Sequence, residues 1–188
     1  MSEDTKKEIV NYVAPPVTVM IMGIVVALLA PVVYLIVRNV SDDSLKGIIA
    51  GSVTGVMGIV FFCLRFVYMA EGIKAIRHAE ANAGAVYLQE DFRKGKRFLS
   101  GRLICGEHYL FGKGQGVVVR LSDISEIIRK TQRSHNMPVA ENLIAKRKDG
   151  KKITICSITQ LEFRHPPYAE VIEEIIKNVP DIQYIDKR

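Results

Sequence analysis

The sequence predicts an α+β chain in which a two-helix transmembrane hairpin precedes a small antiparallel β domain closed by a C-terminal amphipathic helix. Three observations predict it. Two uncharged apolar runs, residues 17–37 and 47–64, lie back to back near the start. Short apolar segments separated by Gly and Asp turns fill residues 98–158. A single apolar stripe at helical spacing then runs from Tyr168 to Val179.

Charge divides the chain at the same place. Residues 1–84 carry seven acidic and seven basic side chains, whereas residues 85–188 carry thirteen and nineteen. The net charge of +6 therefore belongs to the soluble part. A basic domain held beside a membrane is drawn to anionic headgroups by about 1 kcal/mol per well-placed Lys or Arg. Nucleic acid is the other usual partner of positive charge, and a membrane tether argues against it.

Residues 1–16 read as a cytoplasmic N-terminal tail of mixed charge, with no small-residue cleavage pattern after the first apolar run. At 1.5 Å per residue the first run spans roughly 31 Å, and the second about 27 Å before Arg65; the hydrocarbon core is about 30 Å thick. Lipid offers backbone groups no partners, so both should cross it as helices, a hairpin over residues 17–70. Neither run contains Asp, Glu, Lys, Arg or His, which argues against a proton relay or an ion path. Gly47, Gly51 and Gly55 recur every four residues on the second span, and Gly23 and Ala27 share that spacing on the first. Small residues let helix backbones approach closely in lipid, so this face packs the two spans together or joins copies as a homo-oligomer. Pro31 removes a helix hydrogen bond and should kink the first span. Tyr12, Tyr34 and Tyr68 fall where an aromatic belt would sit.

Orientation follows the Lys and Arg near span ends. The inter-span loop holds Arg38 and Lys46, and the N-terminal flank holds Lys6 and Lys7. After the second span come Arg65, Lys74, Arg77, Arg93, Lys94, Lys96 and Arg97. Cys63, Cys105 and Cys156 are isolated, with no metal or disulfide pattern, as suits a reducing compartment. The expectation is a multi-pass cell-membrane protein with both termini cytoplasmic.

Residues 71–85 are alanine-rich with helix-compatible spacing, a juxtamembrane helical linker that should end near Gly84. Residues 86–188 form the soluble domain. Residues 102–105 and 108–111 are short strands around Gly106-Glu107, and residues 112–116 read as a hairpin turn. That turn lacks the Gly-Lys-Ser/Thr ending of a phosphate loop. Val117, Val119 and Leu121 alternate as a half-buried strand. Ser122-Asp123 turns the chain into a strand over residues 124–132. Residues 142–148 and 151–158 flank Asp149-Gly150, which predicts a type I′ hairpin. Tyr168, Val171, Ile172, Ile175, Ile176 and Val179 form one helical stripe, with Pro167 at its start and Pro180 at its end.

This order resembles bacterial membrane-anchored pleckstrin-homology-like (PH-like) domains. The resemblance rests on His108-Tyr109-Leu110-Phe111, on the segment Val118-Val119-Arg120-Leu121-Ser122-Asp123-Ile124-Ser125-Glu126-Ile127, on Lys151-Lys152-Ile153-Thr154-Ile155-Cys156, and on the closing helix. It covers roughly residues 98–180 and departs from the pattern in lacking a Trp early in the domain. It implies a curved sheet capped by a helix, and binding or scaffolding.

The residues carry no catalytic constellation. His78, His108, His135 and His165 are scattered, no Ser lies in a nucleophile elbow, and no Cys has a nucleophile motif. No cofactor is expected. Two basic clusters remain: Arg93, Lys94, Lys96 and Arg97, and Lys146, Arg147, Lys148, Lys151 and Lys152 around the Asp-Gly turn. They read either as solvated, aggregation-resistant surface or as an anion-facing surface for lipid headgroups or an acidic partner. The functional expectation is a non-enzymatic membrane-anchored binding or scaffold protein. The alternative is a small oligomeric channel or transporter-accessory subunit built on the glycine face.

Overall fold

The computed structural model describes residues 1–41, 43–81, 84–134, 137–159 and 168–187. The elements are α1 (Glu3–Val13), α2 (Val17–Ser41), α3 (Ser44–Ala81), α4 (Ala85–Lys94), β1 (Lys96–Phe98), β2 (Leu103–Cys105), β3 (Tyr109–Gly112), β4 (Val117–Arg120), β5 (Ile124–Ser134), β6 (Met137–Arg147), β7 (Lys152–Thr159), α5 (Ala169–Asn178) and β8 (Gln183–Lys187). A single 3₁₀ turn, Leu121–Asp123, joins β4 to β5.

Helices α2 and α3 are long and apolar enough to cross a membrane. Their apolar side chains, Leu28, Val56 and Ile59 among them, are exposed rather than covered by the rest of the chain, as those of a soluble core helix would be. The helix α2 continues through Pro31. With 38 residues, α3 is about 57 Å long, roughly twice the hydrocarbon thickness, so its final turns extend well past the apolar run.

The region expected as an N-terminal tail is instead a helix. The Ser2 hydroxyl caps α1 by accepting the Thr5 backbone N–H, and Glu3 and Asp4 occupy its positive first turn. Its apolar face, Ile9, Val10 and Val13, is buried with Ile76 and Ala79 of α3, Leu88 and Phe92 of α4, and Ile104, Tyr109 and Phe111 of the first sheet. Residues 71–81, expected as a linker, belong to this packing, and α4 follows as a separate helix that periodicity did not announce.

The strands form two four-stranded sheets. The first is an antiparallel meander in the order β1-β2-β3-β4. Strands β2 and β3 are buried at every position because this sheet is covered on both faces. Ile104, Tyr109 and Phe111 face the helices, while Leu103, Cys105 and Leu110 face the main core. The second sheet has the order β7-β6-β5-β8 and is mixed: β6 and β7 are antiparallel partners, but β8 runs parallel to β5. The main core lies between the inner faces of both sheets and α5, through Val171, Ile172 and Ile175.

Three expectations change here. The domain does not end on its amphipathic helix, because β8 follows it and extends the second sheet; that strand is mostly exposed and carries no apolar alternation. The Asp149-Gly150 connection is not type I′. Only Gly150 has a positive φ (83°), and the Lys146–Lys152 register leaves a turn followed by a left-handed glycine. Ile176 is half-buried where Ile175 is fully buried, so the stripe is centred one position earlier than its outline. Pro167 lies outside the described residues.

Candidate functional site

The glycine face is used between α2 and α3. Gly47 and Gly51 are buried against Tyr34, and Gly51 also meets the Ala30 carbonyl at 3.1 Å from a notional Cβ. Gly55 faces Ala30 more loosely, at 3.6 Å. Gly23 lies against Phe62, and Ala27 lies against Gly58, where any Cβ would collide with the Ala27 backbone. Gly58 is the tightest small-residue contact, and the four-residue glycine pattern did not include it because it stands three positions after Gly55.

Where the hairpin meets the domain, the chain is tied at two places. The β3–β4 turn donates the Gly114 N–H to the Tyr12 carbonyl (3.1 Å) and the Gly116 N–H to the Val13 carbonyl (2.7 Å). These carbonyls lie in the last turn of α1 and lack helical partners. Both glycines have positive φ, 71° and 65°, which is why the turn needs them. On the other side, the Arg65 guanidinium of α3 donates to the Pro15 carbonyl and to Asn11 Oδ1. The glycine-rich turn thus serves as a tertiary cap for α1.

This docking forms a groove of about 660 Å³ between α3, β4 and the tip of the β6–β7 hairpin. Tyr68 and Ala79 mark its ends along α3. Five cations line it, Lys74, Arg120, Arg147, Lys151 and Lys152, against two carboxylates, Glu71 and Asp123. Lys74 pairs with Glu71 at 3.0 Å, and Arg147 reaches Asp149 at 3.7 Å and Asp123 at 4.0 Å. Lys146 is diverted from the tip by its ion pair with Glu126. Lys148 is exposed, and its backbone N–H donates to the Asp123 carbonyl at 2.8 Å.

The other predicted cluster is dispersed into structural roles. Arg93 donates to the Thr5 hydroxyl (3.1 Å) and so joins α4 to α1. Lys94 pairs with Glu90, and Lys96 with Glu174 at 3.1 Å while lying over the Phe98 ring. The Lys96 hydrogen bond holds the Glu174 carboxyl below the usual carboxylate range. Arg97 is exposed on β1.

Lys94 and Lys96 line a second open cavity, of about 910 Å³, together with His108, Cys105 and Asp91. Asp91 is buried, and its carboxylate accepts three backbone N–H groups, from Glu107 (3.3 Å), His108 (2.7 Å) and Tyr109 (2.7 Å). His108 stacks on Tyr87 at 4.4 Å, with Nδ1 3.6 Å from the Asp91 carboxylate. Burial pushes the Cys105 thiol up to about 12, so it stays protonated at neutral pH. Asp91 thereby anchors a turn, and Cys105 is an unreactive core thiol. Among the described residues no three His, Cys, Asp or Glu side chains group as metal ligands. His135 and His165 lie outside the described residues.

No protein-family model, curated protein or solved structure matches this chain. The groove beside α3 therefore stands on its own geometry. Sequence reading identified three of its five cations, Arg147, Lys151 and Lys152. It missed Arg120 and Lys74, which come from a strand end and a helix that only the fold brings to the hairpin. The exposed Arg that breaks the Val117–Val119 run was the one available signal.

Proposed function

We propose that this is a non-enzymatic membrane-anchored binding protein whose α2–α3 hairpin spans the cell membrane and whose domain, PH-like in kind, contacts anionic lipid or a protein partner on the cytoplasmic side. One observation carries the reading. The domain is fastened to the base of the hairpin by α1 and the Gly114–Gly116 turn, and this presents the basic groove beside the exit of α3. A four-strand meander, a three-strand meander and a helix in succession support the PH-like assignment. Packing of α1 against the domain supports placing the N-terminus and the domain on one side of the hairpin. The excess of Lys and Arg after the second span supports taking that side as cytoplasmic. We favour binding over an oligomeric channel because Gly47, Gly51 and Gly58 already face α2.

Topology is tested with reporters fused after residues 5 and 188, and a tag inserted between residues 42 and 43. Both reporters should read cytoplasmic and the tag should be accessible outside; reporters on opposite sides would overturn the hairpin. Binding is tested with the full chain in nanodiscs. Hydrogen-exchange protection over residues 147–152 should rise when neutral lipid is exchanged for anionic lipid at low salt. It should fall back at high salt, since exposed charges are screened beyond about 8 Å at physiological ionic strength. Identical protection in both lipids, with no protein crosslinked to this face in native membranes, would end the binding proposal.

A further inference from the structure

We infer that the groove between α3, β4 and the β6–β7 tip is a discrete site for the phosphate group of one anionic phospholipid, held by Arg120, Lys151 and Lys152. This inference rests on the membrane-spanning reading of α2 and α3.

The argument starts from which charges are already matched. Lys74 and Arg147 have carboxylate partners within 4.0 Å, and these are the two carboxylates of the groove, Glu71 and Asp123. Arg120, Lys151 and Lys152 are exposed side chains with no ion-pair partner among the described residues. The larger cavity differs on this point: Lys94, Lys96 and Lys177 there each pair with Glu90 or Glu174, and Arg120, which borders both cavities, is its one cation of this kind without such a partner among the described residues. Three unmatched cations lining one concave surface suit a compact multivalent anion. A guanidinium gives a forked pair of N–H donors that fits two phosphate oxygens, and the two ammonium groups add point charges.

Position selects the source of the phosphate. The apolar run of α3 ends at Leu64, and Arg65 is the first charged residue. Tyr68, at the groove's near end, lies about 5 Å further along the helix axis, and Ala79, at its far end, about 16 Å beyond that. The groove therefore opens at headgroup depth. Phe66 and Val67, which immediately precede Tyr68 in the helix, are exposed and provide apolar surface for acyl chains. A volume of about 660 Å³ falls within the 300–1,000 Å³ or so typical of small-molecule sites.

The walls are also fixed before any ligand arrives. The Gly116 N–H is bonded to Val13, and a Cβ at Gly116 would stand 3.0 Å from Tyr68. The turn is thus seated directly on α3, and β4 leads from it to Arg120. The hairpin that carries Lys151 and Lys152 is held by the Lys148 N–H to Asp123 carbonyl bond. A preformed site loses less affinity to ordering than a flexible one.

The experiment uses the full chain, delipidated in neutral detergent and titrated with phosphatidylglycerol, phosphatidylcholine or glycerol 3-phosphate, with bound adducts counted by native mass spectrometry. The wild type should retain one phosphatidylglycerol per chain and neither of the other two. Arg120→Gln, and the double variant Lys151→Gln/Lys152→Gln, should each weaken retention at least tenfold. Lys130→Gln/Arg133→Gln, which removes two charges from β5 away from the groove, should leave it unchanged. Equal weakening by the β5 variant would replace the site with diffuse attraction, and would leave the membrane-binding reading intact. Retention of glycerol 3-phosphate as strong as that of the lipid would make the ligand a soluble phosphate. No retained lipid, in a chain whose topology reporters still show two spans, would overturn the site alone. Loss of membrane partitioning would instead remove the reading beneath it. Matching thermal unfolding across the variants shows that they are folded.

Discussion

Asp91 shows how one side chain can organise a turn without touching a ligand. Both its oxygens face the backbone of residues 107–109, and Gly106 leaves the space it occupies, because a Cβ there would collide with the Asp91 side chain. An unmatched buried donor costs about 1–3 kcal/mol, and bonds to a charged group are the stronger kind. Asp91→Ala should therefore destabilise the protein by about 3 kcal/mol, and Gly106→Ala should be comparably harmful. Thermal unfolding of the detergent-solubilised chain checks both; a shift within error of wild type for Asp91→Ala would show that water replaces the carboxylate. In the sequence Asp91 was one more charge in a polar stretch. Its partners are backbone amides sixteen to eighteen positions away, and amides leave no residue-type signal. The basic clusters were legible as composition but not as pairing, since Lys146 and Lys96 find their carboxylates on other elements.

The elements that periodicity revealed are those that bury one face in the ordinary way. The helix α5 and the β6–β7 hairpin were readable from the apolar stripe and the Asp-Gly turn. Ile175 is fully buried, so Ile175→Asp should unfold the domain, whereas Ile176→Asp, at a half-buried position, should be milder. Circular dichroism melts of the two variants give the comparison; equal effects would mean the helix is rotated from the orientation described. The helix α1 escaped notice because three buried apolar positions, Ile9, Val10 and Val13, make a narrow stripe beside many charges. It completes a second core, and large-to-small changes at such sites cost about 2–5 kcal/mol. Ile9→Ala should fall in that range. A fragment of residues 86–188 would lose α1 and α3, and with them Ile9, Val13 and Ile76 from the core that holds Ile104, Tyr109 and Phe111. It should bind a hydrophobic dye and aggregate, and a fragment that stays monomeric and dye-silent would show the second core to be dispensable. Strand β8 left no trace in the sequence because an exposed edge strand requires no apolar alternation.

For the whole molecule, several buried groups set an alkaline limit. Burial raises the Cys105 thiol from 9.0 to about 12, and it raises the Tyr12 and Tyr168 hydroxyls as well. Each group ionises at its ordinary value in the unfolded chain but stays neutral in the native one. The stability this neutrality supports is complete below pH 9 and is lost as pH rises from there toward 12. Melting temperature should be insensitive to these groups between pH 6 and 8 and should drop steeply above pH 9, about where the unfolded thiol ionises. A flat profile to pH 11 would mean these groups are solvated in the native protein.

The cap that the Gly114–Gly116 turn places on α1 also fixes an order of events during synthesis. The helix α1 leaves the ribosome ahead of both apolar helices, yet the amides that complete its last turn and the strands that cover Ile9 come about a hundred residues later. At 5–20 residues per second that interval is about 5–20 s. Within it both apolar runs emerge and can enter the bilayer, while the apolar face of α1 is still uncovered. Docking of α1 is then a late closure joining the two ends of the finished hairpin, so an element made before the apolar helices reaches its native place after them.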